Sequence, residues 1–187
     1  MKTMVFFLEG PSEKEMLLGL LPKLLPADMD VRYLVFRGKQ DLEKNLVRRL
    51  RGWQLPDSVF VILRDQDVGD CHHVKAGLVE KCTESGKSAW LVRVACREME
   101  SFFLGDLAAV EQGLKMDKLR KKQQTRKFRN PDTLANPAAE LMKLTENRYD
   151  KLSGSRAIGP YLNIEQNKSH SFNVLVGGIY KLLGDSL

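Results

Sequence analysis

Cysteine is scarce in this chain, and the three present, Cys71, Cys82 and Cys96, form no C-x-x-C pair. An odd count without that spacing argues against a disulfide framework and a zinc ribbon, and it points to a reducing compartment. Long apolar runs are lacking too: no stretch approaches the roughly 20 residues that a membrane helix needs. The start, Met1-Lys2-Thr3-Met4-Val5-Phe6-Phe7-Leu8-Glu9, meets an acid too soon for the apolar region of a signal peptide. The expectation is a cytoplasmic protein with no membrane partner. Internal repeats and low-complexity tracts are also missing. What remains is 187 residues, 43% hydrophobic and 29% charged, the composition of one globular domain, or one domain with an appendage.

The charge is unevenly spread. The segment from Lys115 to Arg129 holds eight of the 30 basic residues against one of the 24 acidic ones, so the net +6 is a local property. Those eight are Lys115, Lys118, Arg120, Lys121, Lys122, Arg126, Lys127 and Arg129. Clustered Lys and Arg attract a phosphate backbone through counterion release, and a solvated surface is the alternative reading of the same run.

Hydrophobic patterning gives the framework. Val59 to Leu63 is five consecutive apolar residues, which read as a strand buried on both faces. Met4–Leu8, Val31–Phe36 and Ala89–Ala95 read as three further strands. Between them lie helical patterns: one opened by a Ser12/Glu15 capping box and stopping near Leu21 before Pro22 and Pro26, one opened by Asp41, and one capped by Asp70. Strands alternating with helices indicate βαβ units and a parallel sheet. The pattern changes from Asp106. A polar, basic connection leads to a helix from Ala138 to about Thr145 and another from Ser171 to Leu183, separated by a loop at Lys151-Leu152-Ser153-Gly154-Ser155-Arg156. The expected organisation is a core over residues 1–105 and a basic connection with a helical C-terminal extension packed on it over 106–187.

The chemistry-bearing residues are acids at strand ends. Asp65 and Asp67 follow the third strand at i and i+2, where both side chains can face one ion. Open α/β sheets place ligands at that edge. Close carboxylates repel unless a proton or a cation lies between them, and hard oxygen donors suit Mg2+. The alternative for such an Asp is a turn former or a helix N-cap. Glu9 ends the first strand with no structural duty evident, since Glu15 accounts for the cap. Glu13 lies in the first helical turn, where the helix dipole alone explains it. Glu98 and Glu100 follow the fourth strand; on a helix they diverge, so at most one reaches a metal. Two other readings fit less well. Cys71-His72-His73 are adjacent and cannot easily share a tetrahedral zinc. In a haloacid-dehalogenase-type phosphatase the Asp-x-Asp follows the first strand, whereas here it follows the third.

Glu9-Gly10 on a first strand, followed by Asp65-x-Asp67 on a later one, resembles the Toprim domain of primases, topoisomerases and overcoming-lysogenisation-defect (OLD) nucleases. A longer resemblance is to the bacterial Toprim-like family catalogued as domain of unknown function 4276. It rests on Phe7-Leu8-Glu9-Gly10-Pro11-Ser12-Glu13, Asp65-Gln66-Asp67 with Asp70-Cys71, Arg97-Glu98-Met99-Glu100-Ser101-Phe102, and Ser169-His170-Ser171-Phe172. Phe102 departs from the Trp expected there, which bears on packing rather than chemistry. The resemblance implies an α/β, Toprim-like (Rossmann-like) parallel sheet of about four strands flanked by helices, with a helical C-terminal extension. It implies an Mg2+- or Mn2+-dependent nuclease acting on DNA or RNA. Glu9 would serve as general acid/base, Asp65 and Asp67 as metal ligands, and Glu13, Asp70, Glu98 and Glu100 as candidates for a second metal site. Lys151, Ser155 and Arg156 would orient the scissile phosphate, and Lys118, Arg120, Lys121, Lys122, Arg126, Lys127 and Arg129 would contact nucleic acid. A partner ATPase and a role in anti-phage defence are implied as well. The alternative is a non-catalytic module that binds nucleic acid or the ATPase.

Overall fold

Parallel strands cannot be joined by a tight turn, so each apolar segment needs a crossover to the next. The computed structural model, which describes residues 2–184, shows four such strands: β1 (Thr3–Leu8), β2 (Asp30–Val35), β3 (Ser58–Asp65) and β4 (Trp90–Ala95). They form one sheet in the order β2-β1-β3-β4, with every neighbouring pair parallel. The crossovers run through helices α1 (Pro11–Leu20), α2 (Lys39–Arg51) and α3 (Cys71–Glu84). The α/β expectation with four parallel strands and a helical C-terminal segment is therefore met.

Burial follows the strand order. All six residues of β1 and seven of eight in β3 are buried, as central strands of a covered sheet must be, while the edge strand β2 is only partly covered. Successive side chains feed opposite faces. Val5, Phe7, Phe60 and Ile62 meet Leu42, Leu46 and Leu50 of α2 and Leu78 and Cys82 of α3. Met4, Phe6, Leu8, Val61 and Leu63 face α1 and everything that follows β4.

That second face is covered by α4 (Glu100–Leu104), α5 (Leu107–Gly113), α6 (Pro137–Leu144), α7 (Lys151–Ile158) and α8 (His170–Leu183). Phe102, Phe103, Val110, Leu141, Ile158 and Phe172 join the same apolar cluster as the sheet, so residues beyond 105 complete one of its two cores. The junction between α1 and the end of α7 is very close. A Cβ on Gly159 would lie 2.5 Å from the Met16 carbonyl oxygen, and one on Gly19 would lie 2.5 Å from Pro160.

Three local expectations change. First, residues 151–156 are not a loop but the body of α7, capped by Asp150, whose carboxylate accepts from the Leu152 and Ser153 N–H groups. Ser-Gly-Ser reads as turn composition, but a Cβ on Gly154 would lie 2.4 Å from the Tyr149 ring, so packing against that ring overrides propensity. Second, α1 has no Ser12/Glu15 capping box: Gly10 is its N-cap, Pro11 its first residue, and Ser12 Oγ donates to Glu13. Third, α2 opens at Lys39 after Gly38, and Asp41 instead accepts the Arg37 N–H.

Gly159→Ala should lower stability by about 1–3 kcal/mol through overpacking against α1. Gly77→Ala, at a mid-helix site with nothing within 4 Å of an added Cβ, should raise it by about 0.5–1 kcal/mol. Urea midpoints of the two variants should move in opposite directions; a shared direction would contradict the packing described.

Candidate functional site

The register of the sheet sets the site. Leu8 pairs with Leu63, so Glu9 leaves β1 beside Arg64, and Asp65 ends β3 opposite Ala95. The Asp65 N–H faces the Glu9 carboxylate at 3.4 Å. These ends open into a cleft of about 420 Å3 lined by Glu9, Ser12, Glu13, Asp65 and Lys151, with Phe36 and Arg37 on one wall.

Each acid has a distinct setting. Asp65, 5% exposed, accepts the Met99 N–H through Oδ1 at 2.8 Å. Its Oδ2 is 3.8 Å from the Lys151 ammonium, which lies 3.8 Å from Glu100 Oε1 as well. Glu100 is fully buried at the start of α4, and its Oε1 accepts from the Tyr149 hydroxyl at 2.9 Å. Its Oε2 has no hydrogen-bond partner among the described residues, an uncommon condition for a buried carboxylate oxygen. Glu13 is buried and accepts from Ser12. Asp67 is held differently: its backbone is left-handed, with φ 57°, and its Oδ2 accepts from Lys39 Nζ at 2.8 Å. Arg64 completes that side, 3.7 Å from Asp67 and 3.9 Å from Glu9, with an ion pair to Glu43.

The electrostatics follow from this crowding. Burial, reinforced by the Glu13 charge, pushes the Asp65 carboxyl well above the usual carboxylate range. Burial also raises Glu9, with Asp67 and Glu13 adding repulsion. Glu100 is raised by burial and only partly relieved by Lys151 and Tyr149. Burial pulls the Lys151 ammonium down, but Glu100, Asp65 and Glu13 outweigh it, so the amine holds its proton more tightly than usual. Several carboxylates in one low-dielectric corner favour a proton or a cation between them.

The sheet edge thus gathers Glu9, Glu13, Asp65, Glu100 and Lys151. Other expected residues lie elsewhere or have structural partners. Asp70 caps α3 by accepting the His73 N–H, and Glu98 accepts the Ala138 N–H in the first turn of α6. Glu98 and Glu100 therefore diverge, and only Glu100 approaches Lys151. Ser155 is buried with its hydroxyl on the Lys151 carbonyl, and Arg156 pairs with Glu15 on α1. In the basic stretch, Arg120 pairs with Glu111 and Lys127 with Glu140, while Lys118, Lys121, Lys122, Arg126 and Arg129 are exposed. None of these residues lines the cleft. Four residues of the site escaped the sequence reading: Arg64, Lys39, Glu43 and Tyr149. Arg64 had a signal, a charge inside the otherwise apolar run leading to Asp65. The other three arrive from distant segments and had none.

Among the described residues no three Asp, Glu, His or Cys side chains converge in metal-holding geometry. The donors nonetheless match a hard divalent cation in chemistry: carboxylate oxygens only, mutually repelling, with one buried oxygen unpartnered. Lys151 now neutralises two of them, and Lys39 and Arg64 a third.

The chain belongs to the family described as domain of unknown function (DUF4276), whose model matches residues 8–179. That span runs from the last residue of β1 into α8 and includes every residue gathered at the cleft. Among solved structures, the C-terminal region of the Burkholderia pseudomallei OLD protein is similar, with a TM-score of 0.56 and 16% identity over 95% of this chain and 97% of that one. At that identity the likeness speaks for the fold. No curated protein matches by sequence. No helix among the described residues is long and apolar enough to cross a membrane.

A raised carboxyl binds its proton more tightly in the folded than in the unfolded chain. Its contribution to stability is full below the unfolded value of about 4 and is lost as pH rises through the folded value. Asp65→Asn, which keeps an oxygen for the Met99 N–H, should therefore melt above the wild type at pH 8, by about 2–4 °C per kcal/mol relieved. The difference should close toward pH 4. Melting curves across that range check it, and a variant less stable at pH 8 would contradict the electrostatic picture.

Proposed function

We propose that this chain is an Mg2+- or Mn2+-dependent nuclease of Toprim type that hydrolyses phosphodiester bonds of DNA or RNA in the acidic cleft. The observation that carries the reading is the gathering of Glu9, Glu13 and Asp65 in one cleft at the carboxyl edge of the parallel sheet, with the Lys151 ammonium between Asp65 and Glu100 and a buried Glu100 oxygen left unpartnered. The likeness in fold to part of an OLD protein supports it. So does the exposed basic stretch, which attracts a polyanion whatever its sequence.

Glu9, Asp65 and Glu13 would hold the divalent ion, with Glu100 and Asp67 beside them. Bound there, the ion neutralises the carboxylates and polarises the phosphate. Glu9, with its raised carboxyl, lines the cleft and would take the proton of the attacking water as the new P–O bond forms; the ester bond then breaks and the departing alkoxide oxygen would take a proton from solvent. Lys151, paired in this structure with Asp65 and Glu100, would offer its positive charge to a non-bridging phosphate oxygen of a bound substrate. Met99 N–H orients Asp65, and the Tyr149 hydroxyl orients Glu100. A partner ATPase, with a role in anti-phage defence, belongs to this reading as context for the cleft.

The second reading is a non-catalytic module that binds nucleic acid or an ATPase. The observation favouring it is that Asp65, Asp67 and Glu100 already have side-chain cations as partners.

A panel of single- and double-stranded DNA and RNA, incubated with Mg2+ and with Mn2+, separates the two. Cleavage by the wild type that falls at least roughly 100-fold in both Glu9→Gln and Asp65→Asn is expected, in keeping with the size of general-base effects. Undiminished cleavage in either variant would remove that residue from the chemistry, and no cleavage by the wild type would favour the binding module.

A further inference from the structure

The cleft is not closed on the β2 side. Its wall at Phe36 and Arg37 is shared with a second hollow of about 430 Å3, lined by Asp41, Asn45, Arg48 and Arg49 of α2 together with Leu34 and Val35 of β2. A third, of about 230 Å3, shares Leu34, Arg48 and Arg49 and ends at Trp53. The three hollows form one trough from Glu9 and Asp65, along the free edge of the sheet, to an aromatic ring.

Beyond the acids of the cleft, the charge of the trough is predominantly positive. Asp41 is the only carboxylate lining the second and third hollows among the described residues, and it is occupied by the Arg37 N–H and the Asn45 amide. Arg48 donates to Asn45 Oδ1 and makes no ion pair among the described residues. The guanidinium groups of Arg37 and Arg49 have neither hydrogen bond nor ion pair there, and both residues are exposed. The basic stretch differs: two of its cations are paired with Glu111 and Glu140, and none reaches the cleft. β2 is an edge strand bonded only to β1, so its outward backbone N–H and C=O groups also face this side.

We propose that this trough is the seat of a single-stranded nucleic acid segment, with Arg37, Arg48 and Arg49 on consecutive phosphates and Trp53 stacking on a base at the far end. The proposal rests on the nuclease reading, because it delivers one phosphodiester to Glu9 and Asp65. Arginine is suited to phosphate by its planar fork of donors. An aromatic ring beside a cationic groove is the usual platform for unpaired bases, since every base offers a π-face. A duplex buries its bases and cannot use Trp53 in this way.

The test is binding of a fluorescein-labelled single-stranded oligonucleotide and of its duplex to the full chain, with Ca2+ in place of Mg2+, over a range of salt. The double variant Arg37→Ala/Arg49→Ala is compared with Lys121→Ala/Lys122→Ala, which loses equal charge from the basic stretch. Arg37→Ala/Arg49→Ala should weaken single-strand binding roughly tenfold and lower the salt slope by about 1.4, at about 0.7 per lost phosphate contact. The lysine variant should lose less. In a Trp90→Phe background, the single strand should quench Trp53 fluorescence. Equal losses in the two double variants, a preference for duplex, an unquenched Trp53, or no binding would each overturn the proposal. Cleavage is scored separately. Cleavage that survives Arg37→Ala/Arg49→Ala at unchanged KM overturns the trough and leaves the nuclease reading. Trough-dependent binding without cleavage does the reverse.

Discussion

The Lys151 ammonium is the group on which this arrangement depends. Two carboxylates, Asp65 at the end of β3 and Glu100 at the start of α4, are buried within reach of one another, and one amine stands 3.8 Å from each. Without a positive charge between them, at least one would have to stay protonated, because burial alone already raises both. Lys151 is half exposed, so its pairing is softened by solvent and is weaker than that of an enclosed ion pair. A charge held that loosely can yield to a divalent ion or turn to a phosphate.

The position of Lys151 in turn depends on packing far from the charges. It is the first residue of α7, and α7 is fixed by the Asp150 cap, by Tyr149 lying against Gly154, and by Gly159 closing on the carbonyl of Met16 in α1. Tyr149 serves twice, since its hydroxyl also holds Glu100. The segment after residue 105 thus completes one core of the sheet and supplies the cation of the cleft.

Much of the frame was legible in the sequence because it is written in local patterns. The apolar runs ending at Leu8, Leu63 and Ala95 mark strands whatever surrounds them, and strand ends followed by Glu9 and Asp65 put acids on one edge. Asp70 was readable as a cap for the same reason. The rest depended on contacts between distant segments. The Ser-Gly-Ser of α7 carries turn composition, and its helix goes with the Asp150 cap and with the Tyr149 ring packed on Gly154. Asp67 looks like a twin of Asp65 at i+2, yet its left-handed backbone and the cations Lys39 and Arg64 hold it on a separate side. Glu98 and Glu100 would share a face only on a continuing strand; β4 ends at Ala95, and the Glu98 carboxylate accepts the Ala138 N–H of α6 instead. The basic stretch was the loudest compositional signal, but it lines no part of the cleft, whereas the arginines of the neighbouring hollow are one loop residue, Arg37, and the pair Arg48-Arg49 on the polar side of an ordinary amphipathic helix.

The central claim is that the acids of this edge form a cation site. A crystal grown with Mn2+ tests it most directly, because the metal's anomalous signal marks its position independently of any assay. The account expects a peak bonded to Asp65 and Glu9, with the Lys151 amine moved away from Asp65. Crystals soaked in Mn2+ with no peak at that edge, and Lys151 still between Asp65 and Glu100, would contradict it.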